Sequence, residues 1–251
     1  MVLVERREPL LLITLNRPAA RNAVNGAMAA ALAAALDELD GDGTLLVGVL
    51  AGAPPGFSAG MDLRAFAAGE RPWIEGRGFA GITERSSRKP LIAAIEGFAL
   101  AGGLEVALAC DLIVAARDAL LGIPEVTRGL FAAAGGLVRL PRRIPYHVAA
   151  EMALTGQPLA AGRLHELGLV NRLCESGQAS SEAIELALAV AANSPLAVRT
   201  TKEILERQHD WSREEALKRQ AEFFELIVAE PDALEGAAAF TQKRPPRWRT
   251  Q

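Results

Sequence analysis

Apolar and polar residues alternate from residue 2 to residue 15 and break at Glu8-Pro9, so VLVER and LLLITLN predict an opening β-hairpin. The segment NRPAARNAVN (16–25) carries neither strand nor helix periodicity and reads as a polar loop, with Asn25 placed to cap a helix. Met28, Leu32, Leu36 and Leu39 then recur at helical spacing until Gly41-Asp42-Gly43 ends the pattern. TLLVGVLAG (44–52) is a continuous apolar run, the signature of a strand covered on both faces. APPGFSAG forces an irregular loop before a short helix in MDLRAFAAG. Residues 70–88 have weak helical patterning around Trp73 to Thr83 and predict a helix-loop segment over a site. Further strands are expected at 91–95, 111–115, 119–122 and 168–173, separated by short helices, and this alternation indicates an α/β class. Beyond Arg143 the pattern becomes a succession of amphipathic helices, continuous from about Ser194, with Phe223, Leu226 and Ile227 on an apolar stripe. That stripe suits core packing first and an oligomer interface second.

The stretch from Gly97 to Glu125 stands apart. It predicts a Gly-rich turn, a short helix, two brief strands and a second turn. Its glycines let a ligand approach the backbone closely. Glu105 sits one turn into the apolar helix LEVALAC, where a carboxylate is expensive to bury. Glu125 follows Pro124, and for it a plain first-turn acid is the bland alternative.

Composition narrows the function classes. The chain has 251 residues, 23% of them charged, and a net charge of −3, a balance that argues against broad binding to nucleic acid or anionic membrane. Cys110 and Cys174 lack metal-type spacing and read as reduced, buried thiols. The charged start MVLVERREPL does not suit a signal peptide, and no apolar run approaches a membrane span, so a cytoplasmic protein is expected.

Three chemistries compete. Gly56-Phe57-Ser58-Ala59-Gly60 matches the G-x-S-x-G of a nucleophile elbow, but Pro54-Pro55 separate it from the preceding strand. His147, His165 and His209 all lie in helical patterns, where surface or satisfied roles are commoner. In the second reading, the helix starts at Met61-Asp62-Leu63 and Ala101-Gly102-Gly103 aim two free backbone N–H groups at one oxygen. In the third, Glu105 and Glu125 hold a water between them as base and acid, provided their environments separate their pKa values. Metal ligation would need more carboxylates or histidines nearby.

ITLNRPAARNAV, GFSAGMDL, IEGFALAGGLEVALACDLIVAA, GIPEVTRGL and AAFTQKRPP, in this order, resemble the enoyl-CoA hydratase/isomerase (crotonase) family over nearly the whole chain. The resemblance implies a crotonase-like spiral of ββα repeats over residues 1–193, with a helical trimerisation region at 194–251. It implies trimers or dimers of trimers, an acyl-CoA substrate and no metal or redox cofactor. The backbone N–H groups of Met61 and Gly102 would form the oxyanion hole. Glu105 would activate a water for syn-addition to a trans-2-enoyl-CoA, and Glu125 would deliver the proton to Cα. Relatives that only isomerise usually lack a carboxylate at the Glu105 position, so the pair favours hydration. An isomerase, another enolate-stabilising enzyme such as a hydrolase, and a binding protein on the same scaffold are the alternatives. Arg21 and Ala23 would meet coenzyme A, and Ala59, Asp62 and Leu63 would line the pantetheine path. Phe240 and Lys243 would reach the coenzyme of an adjacent subunit. The sequence departs from the usual turn after Glu125, with Phe131 and Ala132 where that turn begins. The acyl pocket is expected there and along 70–88, with Trp73 and Phe79 admitting a bulky group.

Overall fold

The computed structural model describes residues 1–85 and 87–249. Strands β1 (Val2–Arg7) and β2 (Leu10–Leu15) form the expected antiparallel hairpin. Helix α1 (Gly26–Gly41) is capped by Asn25, whose side chain accepts the Met28 N–H, and all four residues of the predicted stripe are buried. The chain continues through β3 (Val47–Gly52), α2 (Leu63–Ala67), a tiny hairpin β4 (Trp73–Ile74) and β5 (Gly78–Phe79), then β6 (Leu91–Ile95), β7 (Phe98–Leu100) and α3 (Gly102–Leu108). Strands β8 (Leu112–Ala116) and β9 (Leu120–Gly122) follow, then helices α4 (Gly136–Arg143) and α5 (Tyr146–Thr155). Next come β10 (Leu159–Ala160), α6 (Ala161–Glu166), β11 (Arg172–Cys174), α7 (Ala179–Ala191), α8 (Pro195–Arg207), α9 (Arg213–Val228) and α10 (Pro231–Thr241).

The large sheet has the order β1-β2-β3-β6-β8-β11, and every pairing except β1 with β2 is parallel. Its central strands are covered twice. Leu11, Ile13, Leu15, Leu50, Ala93, Ile95, Ile113 and Ala115 face the main core, while Leu10, Val47, Val49, Ile92, Ala94 and Val114 pack under Ala179, Ala183 and Ala187 of α7. Double burial explains why these strands read as unbroken apolar runs. The edge strand β1 carries Glu5, Arg6 and Arg7 on exposed positions, which blunts the open edge.

A second, smaller sheet has the order β10-β9-β7, with β7 and β9 parallel, and an isolated bridge from Ser58 to Ala99 extends it by one more parallel partner. The chain thus contributes first to the large sheet and then to the small one, as β6 with β7 and as β8 with β9, before entering a helix. This is the ββα spiral.

Three expectations need correction. The 70–88 segment contains no helix among its described residues; Ser86 lies outside them. Gly76, Gly78, Ala80 and Gly81 all have φ between 56° and 75°, which winds the chain into turns around the β4–β5 hairpin. The strand expected at 168–173 begins only at Arg172, because Gly168 turns with φ 87° and Asn171 uses its side chain to accept the Ile113 N–H. Strand β7 and helix α4 were absent from the sequence reading. The first is three residues long and the second contains Pro141.

The Phe223, Leu226 and Ile227 stripe is not core: Leu226 is exposed, and the other two are half-buried. Both cysteines are free and buried.

Candidate active site

The small sheet sets the site. Ser58 is bridged to Ala99, and Ala99 pairs with Leu121. The third residue after each is Met61, Gly102 and Pro124, respectively. Three neighbouring parallel segments therefore deliver three turns side by side, with Met61 two residues ahead of α2, Gly102 opening α3 and Pro124 opening a 3-10 helix. Two of them offer a backbone N–H; the third offers a proline, which has none, followed at once by Glu125.

The two N–H groups are free for identifiable reasons. Met61 forms a parallel bridge with Val24 in which Val24 donates to Gly60 O (2.7 Å) and Asp62 donates to Val24 O (2.9 Å). Met61 is thus the residue whose own N–H points away from its partner. Gly102 is the first residue of α3 and has no intrahelical acceptor. Neither group donates to any acceptor among the described residues. A Cβ added to Gly60 would lie 2.7 Å from Gly102 N, so the two turns touch. Ala101 holds the second turn at φ 53°, ψ −131°, a conformation that costs an L-residue on the order of 1–3 kcal/mol. It is pinned there by its N–H bond to Gly122 O (2.9 Å).

These elements border one cavity of about 670 Å³, lined by Ala59, Met61, Leu63, Gly102, Glu105 and Glu125 among others. Its apolar walls include Phe66 of α2, Trp73 and Phe79 of the hairpin, and Leu130 and Phe131 after Glu125. Trp73 and Phe79 meet edge to face at 5.1 Å, and the Phe79 ring packs directly over Gly102.

The two carboxyls have contrasting surroundings. Glu105 is 3% exposed, and its Oε1 accepts the N–H groups of Ala134 (2.7 Å) and Gly136 (2.8 Å). Burial pushes its pKa up, while those two N–H groups and the Arg139 guanidinium pull the other way. Glu125 Oε2 is buried without any hydrogen-bond partner. Burial, with a smaller contribution from the nearby Glu105 charge, pushes Glu125 up to about 7, against the pull of its own backbone N–H.

Ser58 is no exposed nucleophile. It is fully buried, its hydroxyl donates to Asn22 O (2.9 Å), and its Oγ accepts the Gly60 N–H (3.1 Å). His147, His165 and His209 are exposed and away from the cavity.

Of the residues marked from sequence, Ala59, Met61, Leu63, Gly102, Glu105 and Glu125 come together. Arg21, Ala23 and Asp62 do not line the cavity. Arg21 is exposed beside it, and its carbonyl accepts the Ala59 N–H (3.0 Å). Asp62 serves the frame instead: its Oδ1 caps α2 through the N–H groups of Arg64 (3.1 Å) and Ala65 (3.2 Å), and its Oδ2 pairs with Arg17 (3.0 Å). Phe240, 88% exposed, and Lys243 lie at the far end of α10, off this chain's own cavity. Sequence reasoning missed the Ala134 and Gly136 donors and the rim arginines Arg71 and Arg128. The only signal for the donors was the AAAGG run, whose small residues let the backbone approach Glu105. No group of three or more His, Cys, Asp or Glu side chains placed to hold a metal occurs among the described residues. Nor is any helix there long and apolar enough to cross a membrane.

Two acceptor-free N–H donors on residues that line a cavity beside two partly desolvated carboxyls make a site that can stabilise an enolate oxygen and move protons next to it. Comparison with known proteins gives the family. Residues 5–251 match the model of the enoyl-CoA hydratase/isomerase family, and the chain belongs to that family. It is 38% identical to the enoyl-CoA hydratase EchA19 of Mycobacterium tuberculosis, over 99% of this chain and 96% of that protein. It is 36% identical to the 2,3-dehydroadipyl-CoA hydratase of Escherichia coli, over 98% and 97%. The solved structure of an enoyl-CoA hydratase from Mycobacterium tuberculosis H37Rv superposes with a TM-score of 0.97 at 56% identity, covering 100% of this chain and 99% of that one.

Proposed function

We propose that this chain is an enoyl-CoA hydratase that adds water reversibly across the Cα–Cβ double bond of a trans-2-enoyl-CoA, giving a 3-hydroxyacyl-CoA. The observation that carries this reading is the pair of carboxyls, Glu105 and Glu125, at one cavity with two acceptor-free N–H groups. The thioester carbonyl accepts from Met61 and Gly102, which draws charge onto its oxygen and makes Cβ electrophilic. Glu105, whose carboxylate form is supported by two backbone donors, takes a proton from water as oxygen attacks Cβ. Glu125, held near neutrality by burial, gives its proton to Cα of the enolate. One hydrogen and one hydroxyl are added and nothing is oxidised, so the step calls for no redox cofactor.

The coenzyme enters, on this reading, past Arg21, Ala59 and Leu63. Residues 194–251 form the oligomerisation region of a trimer or dimer of trimers. Exposed Leu217, Phe224, Leu226, Leu234 and Phe240 on α9 and α10 support that assignment, since large apolar side chains in such number suit a subunit interface. Phe240 and Lys243 then reach a neighbour's coenzyme.

The test is loss of the conjugated enoyl-thioester absorbance with a product heavier by one water. A product of unchanged mass with a shifted double bond would instead make the protein an isomerase, and free coenzyme A would make it a thioester hydrolase. Mass in solution tests the assembly: a stable monomer at micromolar concentration removes the trimer.

A further inference from the structure

The cavity wall is apolar apart from its backbone donors, Thr127, the two carboxyls and two arginines, Arg71 and Arg128. Neither arginine makes an ion pair with any carboxylate among the described residues. Arg71 is also held in place. Its guanidinium lies 4.2 Å from the centre of the Phe66 ring and donates to the carbonyls of Glu70 (3.1 Å) and Phe66 (3.4 Å). A stacked guanidinium with donors to spare is pre-organised for a planar carboxylate.

Direction along the cavity decides which anionic group it meets. The Ala59 end of the α2 segment touches Arg21, the side that the proposed function assigns to coenzyme A. Phe66 lies within α2 and Arg71 follows the opposite end of that helix, and Arg128 ends the 3-10 helix that starts with Pro124-Glu125. Arg71 thus belongs to the 70–88 segment and Arg128 to the turn after Glu125, the two cavity-lining stretches in which the acyl pocket is expected.

We infer that Arg71, seconded by Arg128, binds a carboxylate at the far end of the acyl group, so that the preferred ligands are acyl-CoAs ending in an acid. This rests on the orientation of the thioester set out above. The chemistry required is one anionic, planar, bidentate acceptor separated from the thioester by an apolar chain, which the walls of Phe66, Phe79, Leu130 and Phe131 would cover.

The experiment measures binding, so it does not depend on turnover. Saturated hexanoyl-CoA and adipoyl-CoA, which differ by the terminal carboxylate, are titrated calorimetrically into the assembled protein, with decanoyl-CoA and its carboxylated counterpart as a longer pair. Adipoyl-pantetheine and hexanoyl-pantetheine form a third arm that lacks the coenzyme's phosphates. The expected result is that at least one carboxylated ligand binds about 10-fold tighter than its plain partner. Arg71→Met should bring that ratio close to one, Arg71→Lys should keep part of it, and the pantetheine pair should show the same preference. Arg128→Met should lower the ratio less. The inference is overturned if plain acyl chains bind as well as carboxylated ones at both lengths. It is equally overturned if Arg71→Met weakens all CoA ligands alike while leaving pantetheine ligands untouched, because the arginine would then be meeting phosphate. Failure of hydration itself, with the binding preference intact, would count against the hydratase reading and not against this one.

Discussion

Glu125 should make the protein less stable as pH rises through the weakly acidic range. In the unfolded chain its carboxyl titrates at an ordinary 4.5, and in the folded protein at about 7. Below both values the group is protonated in either state and contributes no difference. Between them the folded state keeps a proton that the unfolded state has lost, so unfolding is favoured progressively as pH rises. Above about 7 the full penalty of an ionised carboxylate with a partnerless, buried Oε2 is present. A shift of this size corresponds to about 3 kcal/mol at most. The carboxyl keeps partial solvent contact, so about 1–2 kcal/mol is the discounted expectation. Glu125→Gln retains shape and removes the titration. Urea denaturation of wild type and variant at pH 4.5 and pH 8 isolates the contribution as a double difference. The variant should gain about 1–2 kcal/mol on wild type over that interval. Parallel curves would mean that Glu125 ionises freely, and its role as proton donor would fall with that result. The same titration predicts that hydration slows as pH rises past about 7, an effect read from kcat/KM.

Gly102→Ala would bring a methyl within 2.6 Å of the Phe79 ring, itself only 1% exposed. The N–H should be displaced and kcat/KM should drop by about 10²-fold, whereas a rate within a few-fold of wild type would remove Gly102 from the oxyanion site. Asn22→Ala leaves Ala53 O, Gly56 O and the Arg17 N–H without the partners they have at 2.7, 2.7 and 2.9 Å. It should cost on the order of 2–3 kcal/mol by chemical denaturation. Lys202, 7% exposed, ties α8 to the core through Asp111 Oδ2 (2.7 Å) and Lys89 O (3.2 Å). Lys202→Met strands a carboxylate and should cost about 3 kcal/mol, with the α8–α10 region becoming the first site of limited proteolysis.

Much of this architecture was legible because the chain writes it in period and punctuation. Helix α1 announces itself through Asn25 and four leucine-type positions, and the doubly covered strands through their unbroken apolar runs. Glu105 stood out because a charge on a wholly apolar helix contradicts its surroundings. The donors that hold it did not stand out, since Ala134 and Gly136 act through backbone N–H groups that any residue type could supply. Arg71 and Arg128 were equally invisible: an arginine outside a long element is ordinary until the fold leaves it at a cavity without an ion pair among the described residues. The hairpin at 73–79 stands where a weak helical pattern around Trp73 to Thr83 predicts a helix-loop segment. There the glycine turns overrode a weak pattern. Asp62, attractive beside Met61, turned out to cap α2 and pair with Arg17, the commonest use of an acid at a helix start.

The central claim is that two carboxyls, differently tuned, share one water. Steady-state hydration of a trans-2-enoyl-CoA by Glu105→Gln, Glu125→Gln and the double variant tests it most directly. Glutamine at 105 still accepts from Ala134 and Gly136, so the fold is retained while the base is removed. Each single variant should lose about 10²–10⁴-fold in kcat. The double variant should lose little more, because the two groups act on one event. Wild-type rates in both single variants would contradict the mechanism.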